Sequence, residues 1–174
     1  MKNLMPVYRV VSYVLLAAAA FLSIADLIGL LVSLANPSGF LGVFMLTGAI
    51  IYTISSFYFY NQGIQKGRVF KKSLRDWIRV NAFVSIAFAL ISGIQSGLFL
   101  SQPKHIADYY REVVRMQPSY ASTGITQASF TNMFSGVLVA FVVYCILLLA
   151  HIAITFVMLK SNTQLFKREA DTAA

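Results

Sequence analysis

The sequence predicts an all-α integral membrane protein, a bundle of four transmembrane helices, from two observations. First, 58% of the 174 residues are hydrophobic and only 11% are charged, so polar side chains are too few to cover a water-soluble fold. Second, the apolar residues form four continuous stretches, each near the roughly 20 helical residues that cross a bilayer core of about 30 Å. Transmembrane strands are excluded, because they are shorter and alternate polar with apolar residues.

The predicted transmembrane helices span residues 10–35, 40–60, 80–100 and 133–159. A basic loop at 61–79, a longer loop at 101–132 and a polar tail at 160–174 account for most of the remainder. The first span is too long for the apolar core of a secretory signal peptide, which has about 7–15 residues, so it is predicted to be retained. Little is left for a separate domain, and residues 1–174 are predicted to form a single membrane domain.

Two of the connections have recognisable patterns. Asn36-Pro37-Ser38-Gly39 has the residues favoured in a type I turn, which predicts a tight antiparallel hairpin of the first two helices. In the loop at 101–132, Pro103 can begin a short amphipathic helix, because apolar and charged residues alternate there with helical spacing. The segment from Pro118 to Thr131 is rich in Ser, Thr, Gly and Gln, which predicts a loop.

The basic residues predict the orientation of the helices. With a cytoplasmic N-terminus, eleven of the fourteen Lys and Arg residues fall on the cytoplasmic side, as the positive-inside rule expects. They are Lys2, Arg9, Lys66, Arg68, Lys71, Lys72, Arg75, Arg79, Lys160, Lys167 and Arg168. Only Lys104, Arg111 and Arg115 fall on the outer side, so both termini are predicted to be cytoplasmic and the loop at 101–132 to be external. Short loops and the absence of organelle signals favour a bacterial plasma membrane.

The net charge of +8 is interpreted mainly as this topology signal. A nucleic-acid site is not predicted, because no aromatic platform accompanies the basic residues in a soluble domain. The predicted partners are the lipid bilayer and, at the basic loop 61–79, anionic lipid headgroups, which attract each nearby basic residue by about 1 kcal/mol.

Small and polar residues recur every four positions on the third helix and form a stripe along one face. They are Asn81, Ser85, Ala89, Gly93, Gly97 and Ser101. Such a stripe allows another helix to approach closely. It favours packing within the bundle, and a seam with a second copy or with another membrane protein is the alternative.

Asp26 is the residue on which a functional hypothesis depends, because a carboxyl group within the hydrocarbon is costly and usually faces a bundle interior or a cavity. At 1.5 Å per residue, Asp26 and Gln95 lie roughly 24 and 22 Å from the inner ends of their helices, so they can meet. Two interpretations remain. A neutral Asp26 is hydrogen-bonded to Gln95, Ser92 or Ser96, or the pair forms a site for an ion, a proton or a ligand.

His151 is a secondary candidate, at roughly 12 Å from the inner end of the fourth helix and therefore below the level of Asp26. Its depth suits hydrogen bonds to Tyr52, Thr53 or Ser85, and membership of a proton relay is the alternative. No His, Cys or carboxylate pair has the spacing of metal ligands, and no nucleotide motif is present. No metal, cofactor or catalytic residue is predicted.

The sequence therefore predicts a non-catalytic membrane protein with a structural or accessory role, in which packing residues are abundant and site residues are few. An enzyme is not expected, because Asp26 has no second membrane carboxylate, nucleophile or metal to act with. The alternative is a small transporter or channel that uses Asp26 and Gln95 as an intramembrane polar site.

Overall fold

A computed structural model describes residues 4–119 and 124–167, and it confirms a helical chain with four helices long and apolar enough to cross a membrane. The long helices are α1 (Leu4–Ala35), α2 (Phe40–Tyr58), α3 (Lys72–Ser101) and α5 (Gln127–Ser161), and α4 (Pro103–Met116) lies between the last two. Lys2, Arg168, the end of the tail at 160–174 and residues 120–123 of the loop at 101–132 lie outside the described residues.

Three long helices begin earlier than their predicted apolar spans. α1 begins at Leu4 instead of residue 10, α3 at Lys72 instead of 80, and α5 at Gln127 instead of 133. Hydropathy detects only the part of a helix that is apolar, whereas the backbone hydrogen-bond ladder continues through flanking polar residues. The start of α5 is capped by Thr126, whose hydroxyl accepts from the Ser129 amide at 3.2 Å. The predicted loops 61–79 and 118–131 are therefore partly helical.

The connection between α1 and α2 is a tight turn, as its sequence predicts. The Gly39 amide donates to the Asn36 carbonyl at 3.2 Å, which is the bond that closes a four-residue turn. The Asn36 side chain also accepts from the amide and the hydroxyl of Ser38. This short connection makes α1 and α2 neighbours in the chain and in space.

α2 continues into a π-helical turn, Phe59–Ile64, which is followed by a short parallel strand pair. Strand β1 (Phe70–Lys71) pairs with β2 (Phe166–Lys167), which comes after the end of α5. The rings of Phe59, Phe70 and Phe166 pack together, and the Phe59 and Phe166 rings stack with centroids 5.3 Å apart. The segment after α5 is thereby attached to the segment that precedes α3.

The described residues fall into two compact units, one reaching to Ala89 and resuming at Leu147, the other spanning Leu90–Ile146. The single membrane domain stays a prediction. In the second unit, α4 is amphipathic: Ile106 is buried, while the ion pairs Arg111–Asp108 and Arg115–Glu112 lie on its exposed side. In the first unit, α1 and α2 carry many exposed apolar side chains, which suits helices that contact lipid.

Candidate functional site

A network of polar side chains lies in the interior of the first unit, between α1, α2 and α5. Its members are at most 1% exposed, and they are Tyr8, Ser12, Tyr52, His151 and Thr155. The two members on α1 are four residues apart, and so are the two on α5, so each pair lies on one face of its helix. Because of this spacing, α1 and α5 each direct two polar side chains toward Tyr52 of α2.

The His151 imidazole has a hydrogen-bond partner at each ring nitrogen. The Tyr52 hydroxyl lies 2.8 Å from Nδ1, and the Ser12 Oγ lies 2.9 Å from Nε2. The Ser12 Oγ also lies 2.7 Å from the Tyr8 carbonyl of its own helix. In a neutral imidazole one ring nitrogen donates and the other accepts, so one of the two hydroxyls donates to the ring and the other accepts from it.

Thr155 joins the two tyrosines of the network. Its Oγ1 lies 3.0 Å from the Tyr8 hydroxyl and 2.9 Å from the Tyr52 hydroxyl. The Thr155 hydroxyl donates to the His151 carbonyl at 2.8 Å, one turn earlier on α5, so it accepts from Tyr8. Every side-chain polar atom of the network thus has a partner, as buried polar groups in hydrocarbon require.

Aromatic rings enclose the imidazole. The Tyr8 ring stacks on that of His151, with centroids 4.4 Å apart and planes inclined by 12°. The Tyr60 ring meets the Tyr8 ring edge-on, with centroids 5.2 Å apart. Because its members are almost completely buried and mutually paired, the network offers no free group to a substrate or an ion.

Of the three partners predicted for His151, Tyr52 is the one that forms a hydrogen bond with it. The hydroxyls of Thr53 and Ser85 instead donate to the backbone of their own helices, at the Ala49 and Asn81 carbonyls. The sequence analysis did not predict that Tyr8, Ser12 and Thr155 belong to this network. The signal that could have found them is the four-residue spacing of polar groups on α1 and on α5, at matching depths near one end of both helices.

Asp26 is half-buried and has one described hydrogen-bond partner. The Thr47 hydroxyl of α2 donates to Asp26 Oδ2 at 2.7 Å, so this bond joins α1 to α2. The other oxygen, Oδ1, is buried and has no partner among the described residues. A buried carboxyl oxygen without a donor is unfavourable, which makes Asp26 the least satisfied acidic group in the described part of the helices.

Gln95 lies on α3 in the second unit, where its side chain is exposed and Ser96 beside it is buried. Asp26 belongs to the first unit, so the meeting of Asp26 with Gln95 stays a prediction. Thr47 was not among the partners predicted for Asp26. The signal for Thr47 is its depth: it lies seven positions after Phe40, the start of α2, and Asp26 lies nine positions before Ala35, the end of α1, so helical rise places the two within about 3 Å of the same depth.

The stripe on α3 has different surroundings along its length. Ser85 and Ala89 are buried in the first unit. In the second unit, a Cβ added at Gly93 would lie 3.5 Å from the Cys145 Cβ, which is ordinary van der Waals contact. A Cβ added at Gly97 would meet no described atom within 4 Å. Gly93 therefore faces a neighbouring helix, and Gly97 faces open space.

A close contact between α2 and α3 in the first unit occurs at a glycine outside this stripe. A Cβ added at Gly48 of α2 would lie 2.6 Å from Val84 Cγ1 of α3, closer than real Cβ contacts. Val84 sits between the stripe positions, so α2 reaches α3 beside the stripe. A lone glycine without a second one four residues away gives no packing signal in the sequence.

The described part of the chain contains no group of three or more His, Cys, Asp or Glu side chains that could hold a metal ion. No family model, curated protein or solved structure matches the chain. The function is therefore inferred from the residues and their contacts alone.

Proposed function

We propose that this chain is a non-catalytic helical membrane protein with a structural or accessory role. The observation that carries this proposal is the pairing within the buried network, in which His151 and its partners satisfy one another. Groups that act on a substrate or an ion are usually aimed into a cavity, whereas these hydrogen bonds link α1, α2 and α5 to one another. The network thus serves to fix the helices.

The proposed setting is a bacterial plasma membrane, with a four-helix bundle whose termini are both cytoplasmic. Arg9 near the start of α1, Arg75 and Arg79 near the start of α3, and Lys160 at the end of α5 support this orientation. Under the positive-inside rule, these helix ends face the cytoplasm and α4 lies on the outer side.

The test is a flux measurement on the purified protein reconstituted in liposomes. A structural or accessory protein should give proton and monovalent-cation flux equal to that of empty liposomes. Flux that exceeds this level and is lost in the Asp26→Asn variant would overturn the proposal. A Thr47→Val variant is the matched control, because it removes the hydrogen bond to Asp26 without removing the carboxyl group.

The second candidate function is a small transporter or channel in which Asp26 and Gln95 form the polar site. Its support is the buried Oδ1 of Asp26, which has no described partner and could bind a cation or a substrate donor. This candidate requires a path to Asp26, and polar lining along that path. The same liposome measurement decides between the two candidates.

Assembly is the form of accessory role that we favour. The proposed contact is the stripe of Ser85, Ala89, Gly93 and Gly97 at its Gly97 end, where an added Cβ has no described neighbour within 4 Å. A second copy or another membrane protein can approach the α3 backbone there, since small residues allow close helix packing.

A further inference from the structure

We propose that a groove between α3 and α5 binds the headgroup of an anionic phospholipid. The groove has a volume of about 420 Å³ and is lined by Arg79, Phe83, Phe156 and Lys160, all in the first unit. It lies near the start of α3 and at the end of α5. Its volume falls within the range of about 300–1,000 Å³ that is usual for small-molecule sites.

The four lining residues form two tiers. Arg79 precedes Phe83 by four residues on α3, and Lys160 follows Phe156 by four on α5, so each cation stands over a ring of its own helix. The rings contact each other, with centroids 5.8 Å apart. Four helical residues rise by about 6 Å, so the cations lie about 6 Å nearer to the membrane surface than the rings.

The charged tier has a net positive charge. Arg79 lies 4.0 Å from Asp76, and both side chains are about half-exposed, so this ion pair is weak. Asp76 also lies 3.5 Å from Arg75 and is shared between the two cations. Lys160 takes part in no ion pair among the described residues. Arg79 can therefore bind a phosphate through its planar guanidinium while Lys160 supplies a second positive charge.

The apolar tier favours a phospholipid over a free phosphate. Phe83 is 64% exposed, although it lies within a helix long and apolar enough to cross a membrane. A free anion would use only Arg79 and Lys160. A phospholipid presents its phosphate at the level of the cations and its acyl chains at the level of the rings, as basic sites between transmembrane helices require.

This inference rests on the proposed function for its membrane location and is independent of the accessory role. Alkaline extraction of cell membranes tests the location separately, because an integral protein stays in the membrane pellet. If the protein both binds lipid in the groove and conducts ions, the lipid site is retained and only the accessory role is overturned.

The experiment measures lipid binding to the full-length protein in detergent, by native mass spectrometry and by thermal stabilisation. The probes are phosphatidylglycerol, phosphatidylcholine and inorganic phosphate. The double variant Arg79→Gln/Lys160→Gln should weaken phosphatidylglycerol binding roughly 30-fold, which corresponds to about 1 kcal/mol for each basic residue. Both residues are exposed, so the variant should fold, and its unfolding temperature without lipid checks this.

The control is Arg111→Gln/Arg115→Gln, which removes the same charge from the exposed side of α4, outside the basic loop, and should leave phosphatidylglycerol binding within twofold. For the apolar tier, Phe83→Ala should weaken lipid binding, whereas Phe21→Ala, at a similarly exposed ring on α1, should not. Equal binding of phosphatidylcholine, equal stabilisation by inorganic phosphate, or equal loss in the Arg111/Arg115 control would each overturn the proposal.

Discussion

The Tyr52 hydroxyl is hydrogen-bonded to Nδ1 of His151 at 2.8 Å and so joins α2 to α5 across 99 residues of sequence. This bond lies in the interior of the first unit, where both residues are at most 1% exposed. Ser12 is hydrogen-bonded to the opposite ring nitrogen, so the orientation of the imidazole is fixed from both sides. The bond is a direct test of whether the network serves stability.

Tyr52→Phe should lower the free energy of unfolding by about 1–2 kcal/mol, because it leaves Nδ1 of His151 buried without a hydrogen-bond partner. The measurement is thermal or denaturant unfolding in detergent. Tyr58→Phe, at an exposed position on the same helix, should change stability little. In a double-mutant cycle with His151→Phe, the coupling energy should be about 0.6–1.7 kcal/mol, and strictly additive effects would contradict the bond.

Gly48→Ala should destabilise the protein by about 1–3 kcal/mol, because the new methyl group would overlap Val84 and force α2 away from α3. Gly42→Ala is the matched control on α2, since no described atom lies within 4 Å of its added Cβ. The control should be neutral or stabilising by up to about 1 kcal/mol, as Ala favours a helix over Gly. Val84→Ala should restore part of the lost stability, and an unaffected Gly48→Ala protein would rule out the close approach.

Asp26→Asn should leave thermal stability equal or higher, because the amide oxygen still accepts from Thr47 and a buried carboxyl group is removed. Added sodium or potassium should not change the unfolding temperature of either protein. If cations stabilise the wild type and Asp26→Asn abolishes that response, Asp26 binds an ion and the transport candidate becomes the better one.

Gly97→Leu should reduce the oligomeric fraction in detergent without lowering the stability of the single chain, since the side chain would project into open space. Light scattering coupled to gel filtration measures the mass. Gly136→Leu on α5, where an added Cβ likewise meets no described atom within 4 Å, is the control and should leave the mass unchanged. An oligomer unaffected by Gly97→Leu would argue against assembly at this end of the stripe.

The long helices could be predicted from sequence because each contains a continuous apolar run long enough to cross a membrane, where the cost of burying polar backbone favours a helix. The partnership of His151 with Tyr52 could be predicted because helical rise gives the depth of each side chain. Depth does not give the rotation of one helix about its axis relative to another. For that reason Ser12 and Thr155 were missed, and so was the contact of Gly48 with Val84.

The aromatic packing and the β1–β2 pair were missed for a different reason. Each strand has two residues, which is too short for a periodic pattern, and the paired residues 70 and 166 are 96 positions apart in the sequence. The groove at Arg79 and Lys160 has a visible signal, a cation and an aromatic ring four residues apart on each of two helices. That signal becomes meaningful only when the two helices are known to be neighbours.

The β1–β2 pair has a consequence for how the protein is made. Phe70 and Lys71 are synthesised long before their partners Phe166 and Lys167. The β1 backbone is therefore unpaired while α3, α4 and α5 are being synthesised. Contacts between residues so distant in sequence form late. Closure of this end of the first unit therefore requires synthesis of the segment after α5, and a nascent chain arrested within α5 would still expose the Phe59 and Phe70 rings to chaperones and proteases.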